Sequence, residues 1–146
     1  MHRGNRALEG ILLTGIVALT LATGYIHFWV GGILLTLNAA GYLGLAGMVV
    51  GAGVMFRRGL PLVLMALAAY AGVTIAGWVV MGPYFDIAYV AKAIEVALIA
   101  AICIQLRAMG NEVRLALVWA RSLPGQALRG LRGASLARRS SAESGE

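Results

Sequence analysis

Charged residues are scarce in this chain, since Asp, Glu, Lys and Arg make up 12% of its 146 residues. A soluble domain of this size carries about 25% charge. The chain is also 60% hydrophobic, with a mean hydropathy of +0.84. This composition argues against an ordinary soluble domain and predicts an integral membrane protein of one domain.

Cysteine and histidine are rare as well, with one Cys and two His residues. The single Cys103 cannot form an intrachain disulfide, so cysteine usage indicates no redox compartment. The sequence contains no H-E-x-x-H zinc spacing, no Walker loop and no G-x-S-x-G nucleophile elbow. These absences argue against hydrolytic or nucleotide chemistry. We predict that the chain is not an enzyme and that it has no catalytic residue, metal site or cofactor.

Four apolar stretches have the length of a transmembrane helix, at residues 7–30, 33–56, 60–81 and 87–109. Gly31-Gly32 breaks the chain after the first stretch, and Pro61 suits the first turn of the third helix. We predict an all-α fold, a four-transmembrane-helix bundle over residues 1–110. A cleaved signal peptide is the alternative for the first stretch, although its apolar run continues past Ala22 through Trp29.

The chain becomes basic and polar after Gly110. Residues 111–123 are predicted to form a basic amphipathic helix on the membrane surface, where anionic headgroups are the expected partner. The predicted lipid-surface residues are Arg107, at the end of the fourth stretch, and Arg114, Trp119 and Arg121 of this helix. Residues 124–146 are predicted to be a disordered basic tail. Beside membrane helices, lipid is a simpler partner for these arginines than nucleic acid, which we do not predict.

Arginine placement predicts the orientation. All eleven arginines fall before the first stretch, in the Arg57-Arg58 connection, or from Arg107 onward. The other two connections contain a single charged residue, Asp86. By the positive-inside rule both termini face the cytoplasm, and the expected location is the inner membrane.

Lys92 and Glu95 form an ionisable pair inside the fourth apolar stretch. Glu95 lies ~12 Å from the start of its helix, so the pair must face protein or water rather than lipid. His27 and Asn38 fall in the same half of the membrane, which predicts a polar intramembrane cluster of His27, Asn38, Lys92 and Glu95. The cluster is either a titratable site for a proton or cation, or a structural pair with Lys92 extended toward the surface.

The first stretch carries a polar stripe that should face the other helices. Helical spacing places Glu9, Thr20, Thr23, Gly24 and His27 on one face. His27 could also ligate a haem or contact a quinone. Because His2 lies at the opposite end, a haem would need Met81 or a second subunit as its other ligand.

Small residues recur along the second stretch. Ala40, Gly44, Gly47 and Gly51 follow one another at intervals of four, three and four. Such a stripe allows another helix to approach closely. We predict helix packing through it, in a homo-oligomer or as a subunit of a membrane complex.

The stretch from His27 through Leu37-Asn38-Ala39-Ala40-Gly41 resembles a segment of uncharacterised small four-helix bacterial integral membrane proteins. Those proteins carry a histidine and aromatics near the end of the first helix and an L-N-A-x-x-G-like start to the second. The resemblance covers about a tenth of the chain. It implies four helices and an inner-membrane location, without an established activity.

Four-helix multidrug exporters are similar in size, but their essential acid lies in the middle of the first helix. Here Glu9 lies at the end of that helix, and the acid inside the membrane is Glu95 on the fourth. This difference argues against the exporter family. Three functions follow as hypotheses: a non-catalytic accessory or interaction subunit, a small proton- or cation-linked transporter that uses Glu95 and Lys92, and a haem or quinone electron-transfer subunit around His27.

Overall fold

The computed structural model describes residues 3–82, 84–118 and 120–121, and every regular element within them is helical. Four long helices follow in chain order: α1 (Arg3–Val30), α2 (Ile33–Met55), α3 (Leu60–Met81) and α4 (Asp86–Ala108). A further helical segment covers 110–118 and 120–121. The predicted all-helical fold with four long apolar helices is confirmed. The predicted disordered tail, 124–146, lies outside the described residues.

All four long helices are long and apolar enough to cross a membrane. Many of their large apolar side chains point outward, with Ile33, Val54 and Met81 each at least 80% exposed. Outward apolar side chains on long helices are what a lipid environment requires. These features are those of a multi-pass membrane protein.

The four-helix unit has two distinct ends. At the turn end, Gly31 and Gly32 join α1 to α2 with φ of 80° and 88°. L-amino acids with a side chain rarely adopt positive φ, so glycine is needed at both positions. The connection from α3 to α4 lies at the same end. At the terminal end lie the start of α1, the α2–α3 connection at residues 56–59, and the end of α4.

The four helices pack in a ring. α1 packs against α2 and α4, and α3 packs against the same two neighbours. Buried apolar side chains from all four helices fill the terminal half of the interior, each at most 2% exposed: Ile16, Val49, Leu60, Leu64, Leu67, Leu98 and Ile102. This apolar layer closes the interior toward the terminal end.

The inward face of α2 does not contain the small-residue stripe. Its buried residues are Ala39, Tyr42, Ala46 and Val49, at intervals of three, four and three. The stripe faces outward, since Ala40, Gly44 and Gly47 are exposed and Gly51 is half-buried. No neighbouring atom comes within 4 Å of the space that a Cβ would occupy at any of the three glycines. Helix packing through the stripe therefore stays a prediction about another chain.

Candidate functional site

Glu95 is the centre of the polar interior. Its side chain is 0% exposed, and its Oε2 lies 2.7 Å from Lys92 Nζ, one helical turn earlier on α4. The inward face of α4 runs through both residues and continues along Leu98, Ile102 and Gln105, at helical intervals. The sequence periodicity of α4 therefore presents an ion pair to the interior rather than to lipid.

The second carboxylate oxygen of Glu95 faces α1. Thr23 Oγ1 donates a hydrogen bond to Glu95 Oε1 at 3.3 Å, and His27 Nε2 lies 3.6 Å from the same oxygen. Thr20, Thr23 and His27 are all buried on one face of α1, as the polar stripe predicts. Two helices thus converge on one carboxylate.

The hydrogen bonding of His27 indicates which of its ring nitrogens carries the hydrogen. Nδ1 lies 2.7 Å from the backbone carbonyl oxygen of Thr23. A carbonyl only accepts, so Nδ1 is assigned the hydrogen. In neutral His27 the lone pair of Nε2 then faces the carboxylate of Glu95, and a hydrogen bond between them requires one additional proton. At 3.6 Å, Nε2 and Oε1 lie slightly beyond the distance at which they would share a proton in a hydrogen bond.

Lys92 also reaches α3. Its Nζ donates to the backbone carbonyl of Thr74 at 3.3 Å. The Thr74 hydroxyl donates to the Ala71 carbonyl at 2.8 Å and lies 2.9 Å from the hydroxyl of Tyr42. Because the Thr74 hydrogen is used, Tyr42 is the donor in that contact. Lys92 is thereby tied to the backbone of a second helix.

Together these side chains form a polar layer across all four helices. We use this name for Thr23 and His27 of α1, Tyr42 of α2, Thr74 of α3, and Lys92 and Glu95 of α4. Tyr42 is fully buried, and its ring centre lies 5.7 Å from that of His27 and 5.0 Å from that of Tyr70. The layer separates the apolar terminal half from the turn end.

Tyr70 joins α3 to α2 beside this layer. Its hydroxyl donates to the backbone carbonyl of Asn38 at 3.2 Å. The hydroxyl also lies against Gly41, where an added Cβ would overlap it. A glycine is therefore required at 41 for Tyr70 to approach the α2 backbone.

A cavity of about 370 Å³ opens at the turn end, between the ends of the four helices. This volume lies in the range of small-molecule sites, about 300–1,000 Å³. Its polar lining comes from His27, Asn38, Thr74 and Lys92. The remainder is mostly apolar or aromatic and includes Val30, Leu34, Trp78, Met81 and Phe85. No acidic residue lines the cavity within the described part of the chain, because Glu95 lies behind His27 and Lys92.

On the terminal side of the polar layer, the described polar side chains are buried. Thr20 is buried there, but its hydroxyl donates at 2.7 Å to the Ile16 carbonyl of its own helix. Gln105 is 2% exposed, and its Oε1 has no hydrogen-bond partner in the described structure. Apolar side chains fill the space between Gln105 and Glu95. Within the described residues, His27 and Lys92 lie both against Glu95 and along the turn-end cavity.

The structure brings three of the four predicted cluster residues together: His27, Lys92 and Glu95. Asn38 instead lines the cavity and gives its backbone carbonyl to Tyr70. Tyr42 and Thr74 complete the layer, and sequence reasoning did not identify them as members. Their only signal is a hydroxyl within an otherwise apolar stretch.

Three of the four predicted lipid-surface residues are described, and they lie at the terminal end. Arg107 is in the last turn of α4, and Arg114 and Arg121 are in the following helical segment. All three are exposed. The side chain of Trp119 lies outside the described residues. Contact of this group with anionic lipid stays a prediction.

No protein-family model, no curated protein and no solved structure matches this chain. A role is therefore inferred from the polar layer and the cavity. Across the described ranges, no group of three or more His, Cys, Asp or Glu residues is placed to hold a metal ion.

Two threonines of α1 provide a matched test of the polar layer. Thr23→Val removes the hydroxyl that donates to Glu95, and hydrogen bonds to charged groups contribute about 1.5–3 kcal/mol. Thr20→Val removes a hydroxyl that bonds only to its own helix, and we expect a loss of about 0.5–1.5 kcal/mol. Unfolding by SDS in mixed micelles measures both. Equal losses would contradict a role for Thr23 in stabilising the carboxylate.

Proposed function

We propose that this chain is a small proton-linked carrier that takes an amphipathic solute into the turn-end cavity. The observation that carries the proposal is the floor of that cavity. His27 and Lys92 line it, and both are partners of the buried carboxylate of Glu95. A molecule in the cavity thus contacts the two groups that determine the charge of Glu95.

A purely structural ion pair accounts for less of this geometry. It explains the 2.7 Å contact between Lys92 and Glu95. It does not explain a third titratable side chain, His27, whose Nε2 faces the same carboxylate. Nor does it explain a cavity above the pair that is large enough for a small molecule. Ionisable groups that line an intramembrane cavity mark transport paths and proton relays.

The described conformation corresponds to one state of such a carrier. It is open at the turn end and closed toward the terminal end by the apolar layer. Transport requires a second conformation in which the polar layer is reached from the terminal end. Gln105 lies on that route, since it is the polar side chain of α4 below Glu95.

Two matched glycines of α3 test binding in the cavity. Gly77 lines the cavity and Gly72 does not, and neither has an atom within 4 Å of an added Cβ. Gly77→Leu is expected to fill part of the cavity and to weaken solute binding at least ~tenfold, since each lost 1.4 kcal/mol is tenfold. Gly72→Leu should leave binding unchanged.

Octanoate, octanol and octylamine are suitable probes, because they share an apolar chain and differ in head-group charge. Titration calorimetry on the full chain in lipid nanodiscs measures their binding, and the Gly77→Leu protein corrects for partition into lipid. The proposal fails if no octyl probe binds saturably, or if Gly77→Leu and Gly72→Leu weaken binding equally.

We further propose that the terminal end faces the cytoplasm in the inner membrane. Arg57, Arg58 and Arg107 lie at that end, and Asp86 lies at the turn end. The positive-inside rule favours this orientation. Anionic lipids would then contact Arg107, Arg114 and Arg121, each contributing about 1 kcal/mol near the surface.

Cysteine labelling tests the orientation. In a Cys103→Ala background, Tyr84→Cys places a thiol at the turn end and Gly110→Cys places one at the terminal end, and both positions are exposed. An impermeant maleimide added outside intact cells should label Tyr84→Cys alone. Labelling of Gly110→Cys from outside would reverse the proposed orientation.

A second candidate function is an accessory or interaction subunit. The outward stripe of Ala40, Gly44, Gly47 and Gly51 favours it, because three of these residues are exposed and the glycines leave room for another helix. Gly47→Leu should then separate the chain from its partner, or from a second copy, in native electrophoresis. Octyl-probe binding would be unchanged in that variant.

Haem ligation by His27 receives no support from this geometry. Nδ1 is engaged with the Thr23 carbonyl and Nε2 faces Glu95, so the ring as placed presents neither nitrogen to an iron in the cavity. Met81 does line the same cavity. An electron-transfer subunit is therefore the least supported of the three hypotheses.

A further inference from the structure

We infer that the solute is an amphiphile with a carboxylate head group. On binding, this carboxylate takes the place of Glu95 in the ion pair with Lys92, and the protein takes up one proton. The inference depends on the proposed function, because it assigns a ligand class to the same cavity. In this scheme the ligand carboxylate replaces Glu95 as the partner of Lys92, and Glu95 receives the proton.

The charge of the cavity lining selects the head group. Among the described residues, Lys92 is the charged side chain that lines the cavity. No acidic residue lines it within the described residues. An ammonium head would meet like charge, whereas a carboxylate would accept charge-assisted hydrogen bonds from Nζ. The apolar and aromatic remainder of the lining suits the hydrocarbon part of the ligand.

Lys92 can serve a ligand because it lies between the cavity and Glu95. Its side chain is 11% exposed, whereas that of Glu95 is fully buried. Four methylene groups allow the ammonium to turn toward the cavity while its helix stays in place. Glu95 has no equivalent freedom, since Thr23 and His27 enclose its other oxygen.

Charge balance requires the proton. Before binding, Lys92 and Glu95 together carry no net charge, with His27 neutral. A bound carboxylate adds one negative charge to a buried site, where unpaired charge is strongly unfavourable. If Glu95 accepts one proton as the anion arrives, the sum of ligand, Lys92 and Glu95 is again zero. No bond other than O–H forms, and the proton comes from solvent.

His27 provides the acceptor for a hydrogen bond from protonated Glu95. Once Glu95 is protonated, its O–H can donate to Nε2, whose lone pair faces it. Among the described residues, the other titratable groups that interact with Glu95 are the hydroxyls of Tyr42 on α2 and Tyr70 on α3. Neither phenol supplies a cation, so among the described residues Lys92 is the cation that compensates the ionised carboxylate while His27 is neutral.

Calorimetry with octanoate in two buffers of different ionisation enthalpy tests the inference on the unmodified chain in nanodiscs. The difference in observed enthalpy gives the number of protons taken up, and we expect about one per octanoate. Octanoate should bind about 10–100-fold more tightly than octanol or octylamine, the range that a charge-assisted hydrogen bond supplies. A carboxylic acid with a pKa of about 4–5 stays ionised between about pH 6 and 8, so the ligand supplies no proton. Octanoate affinity should therefore fall as pH rises.

Two variants separate the parts of the scheme. Glu95→Gln is neutral at every pH and should bind octanoate without proton uptake and without pH dependence. Lys92→Met should remove the preference for octanoate while octanol still binds. The unmodified chain gives the decisive numbers, so the test does not depend on either variant folding.

The possible results are distinguishable. Tight octanoate binding with no proton uptake would overturn the exchange, and tighter binding of octanol or octylamine would overturn the ligand class. In both cases, loss of binding in Gly77→Leu would still identify the turn-end cavity as the solute site of the proposed carrier. Absence of saturable binding for all three probes would overturn the proposed function itself.

Discussion

Lys92→Met is expected to lower the free energy of unfolding by about 3–5 kcal/mol, the usual cost of removing one partner from a buried ion pair. The substitution leaves the Glu95 carboxylate, which is 0% exposed, without its cation, while Thr23, His27 and the Tyr42 hydroxyl stay beside it. Methionine retains the length and apolar stem of lysine, so lost packing contributes little. Unfolding by SDS in mixed micelles measures the change.

The matched control is the double variant Lys92→Met with Glu95→Leu. Replacing both members of a buried ion pair by apolar residues is often neutral or stabilising by about 1–4 kcal/mol. We therefore expect the double variant to unfold near the unmodified chain or above it, while octanoate binding is lost. If Lys92→Met alone has no effect on unfolding, Lys92 does not compensate Glu95, and the exchange scheme loses its starting state.

Gly41→Ala is expected to destabilise the chain by about 1–3 kcal/mol, the range for overpacking a tight interior. The added Cβ would overlap the Tyr70 hydroxyl, which must then leave the Asn38 carbonyl. Movement of Tyr70 would also disturb its edge-to-face contact with Tyr42, at 5.0 Å between ring centres. Both octanoate binding and stability should fall.

Gly44→Ala is the control for this substitution. It lies one turn further along α2 and has no atom within 4 Å of an added Cβ. Alanine also improves helix propensity by about 1 kcal/mol over glycine. Gly44→Ala should therefore be neutral or stabilising in the same SDS titration. Equal destabilisation by the two variants would show that the close approach of Tyr70 is not what requires glycine at 41.

The helices follow from the sequence because their signals are local. Length and hydropathy predict four spanning helices, and the Gly31-Gly32 break coincides with two positive φ angles. On α4 and α1 the polar residues are few and recur at helical spacing. Lys92 and Glu95 therefore identify the inward face of α4, and Thr20, Thr23 and His27 that of α1.

The inward face of α2 cannot be predicted in the same way. That helix is almost uniformly apolar and small, so periodicity favours no face. Asn38 is the natural choice for its inward polar residue, but the structure uses Tyr42. The reason is tertiary: Gly24 on α1 comes close to Tyr42, with only 3.3 Å between an added Cβ and that of Tyr42, and Gly41 makes space for Tyr70. Close packing between two helices cannot be deduced from the sequence of one helix alone.

The double engagement of Lys92 has a mechanical consequence. One ammonium group holds a carboxylate of its own helix at 2.7 Å and a backbone carbonyl of α3 at 3.3 Å. An axial rotation or sliding of α4 against α3 strains the bond to Thr74, while the bond to Glu95 moves with α4 and holds the ammonium in place. The contact therefore keeps the two helices in register. A ligand that draws the ammonium away breaks the hydrogen bond to Thr74. The turn-end part of α3, which contains Gly77 one turn beyond Thr74, can then move relative to α4.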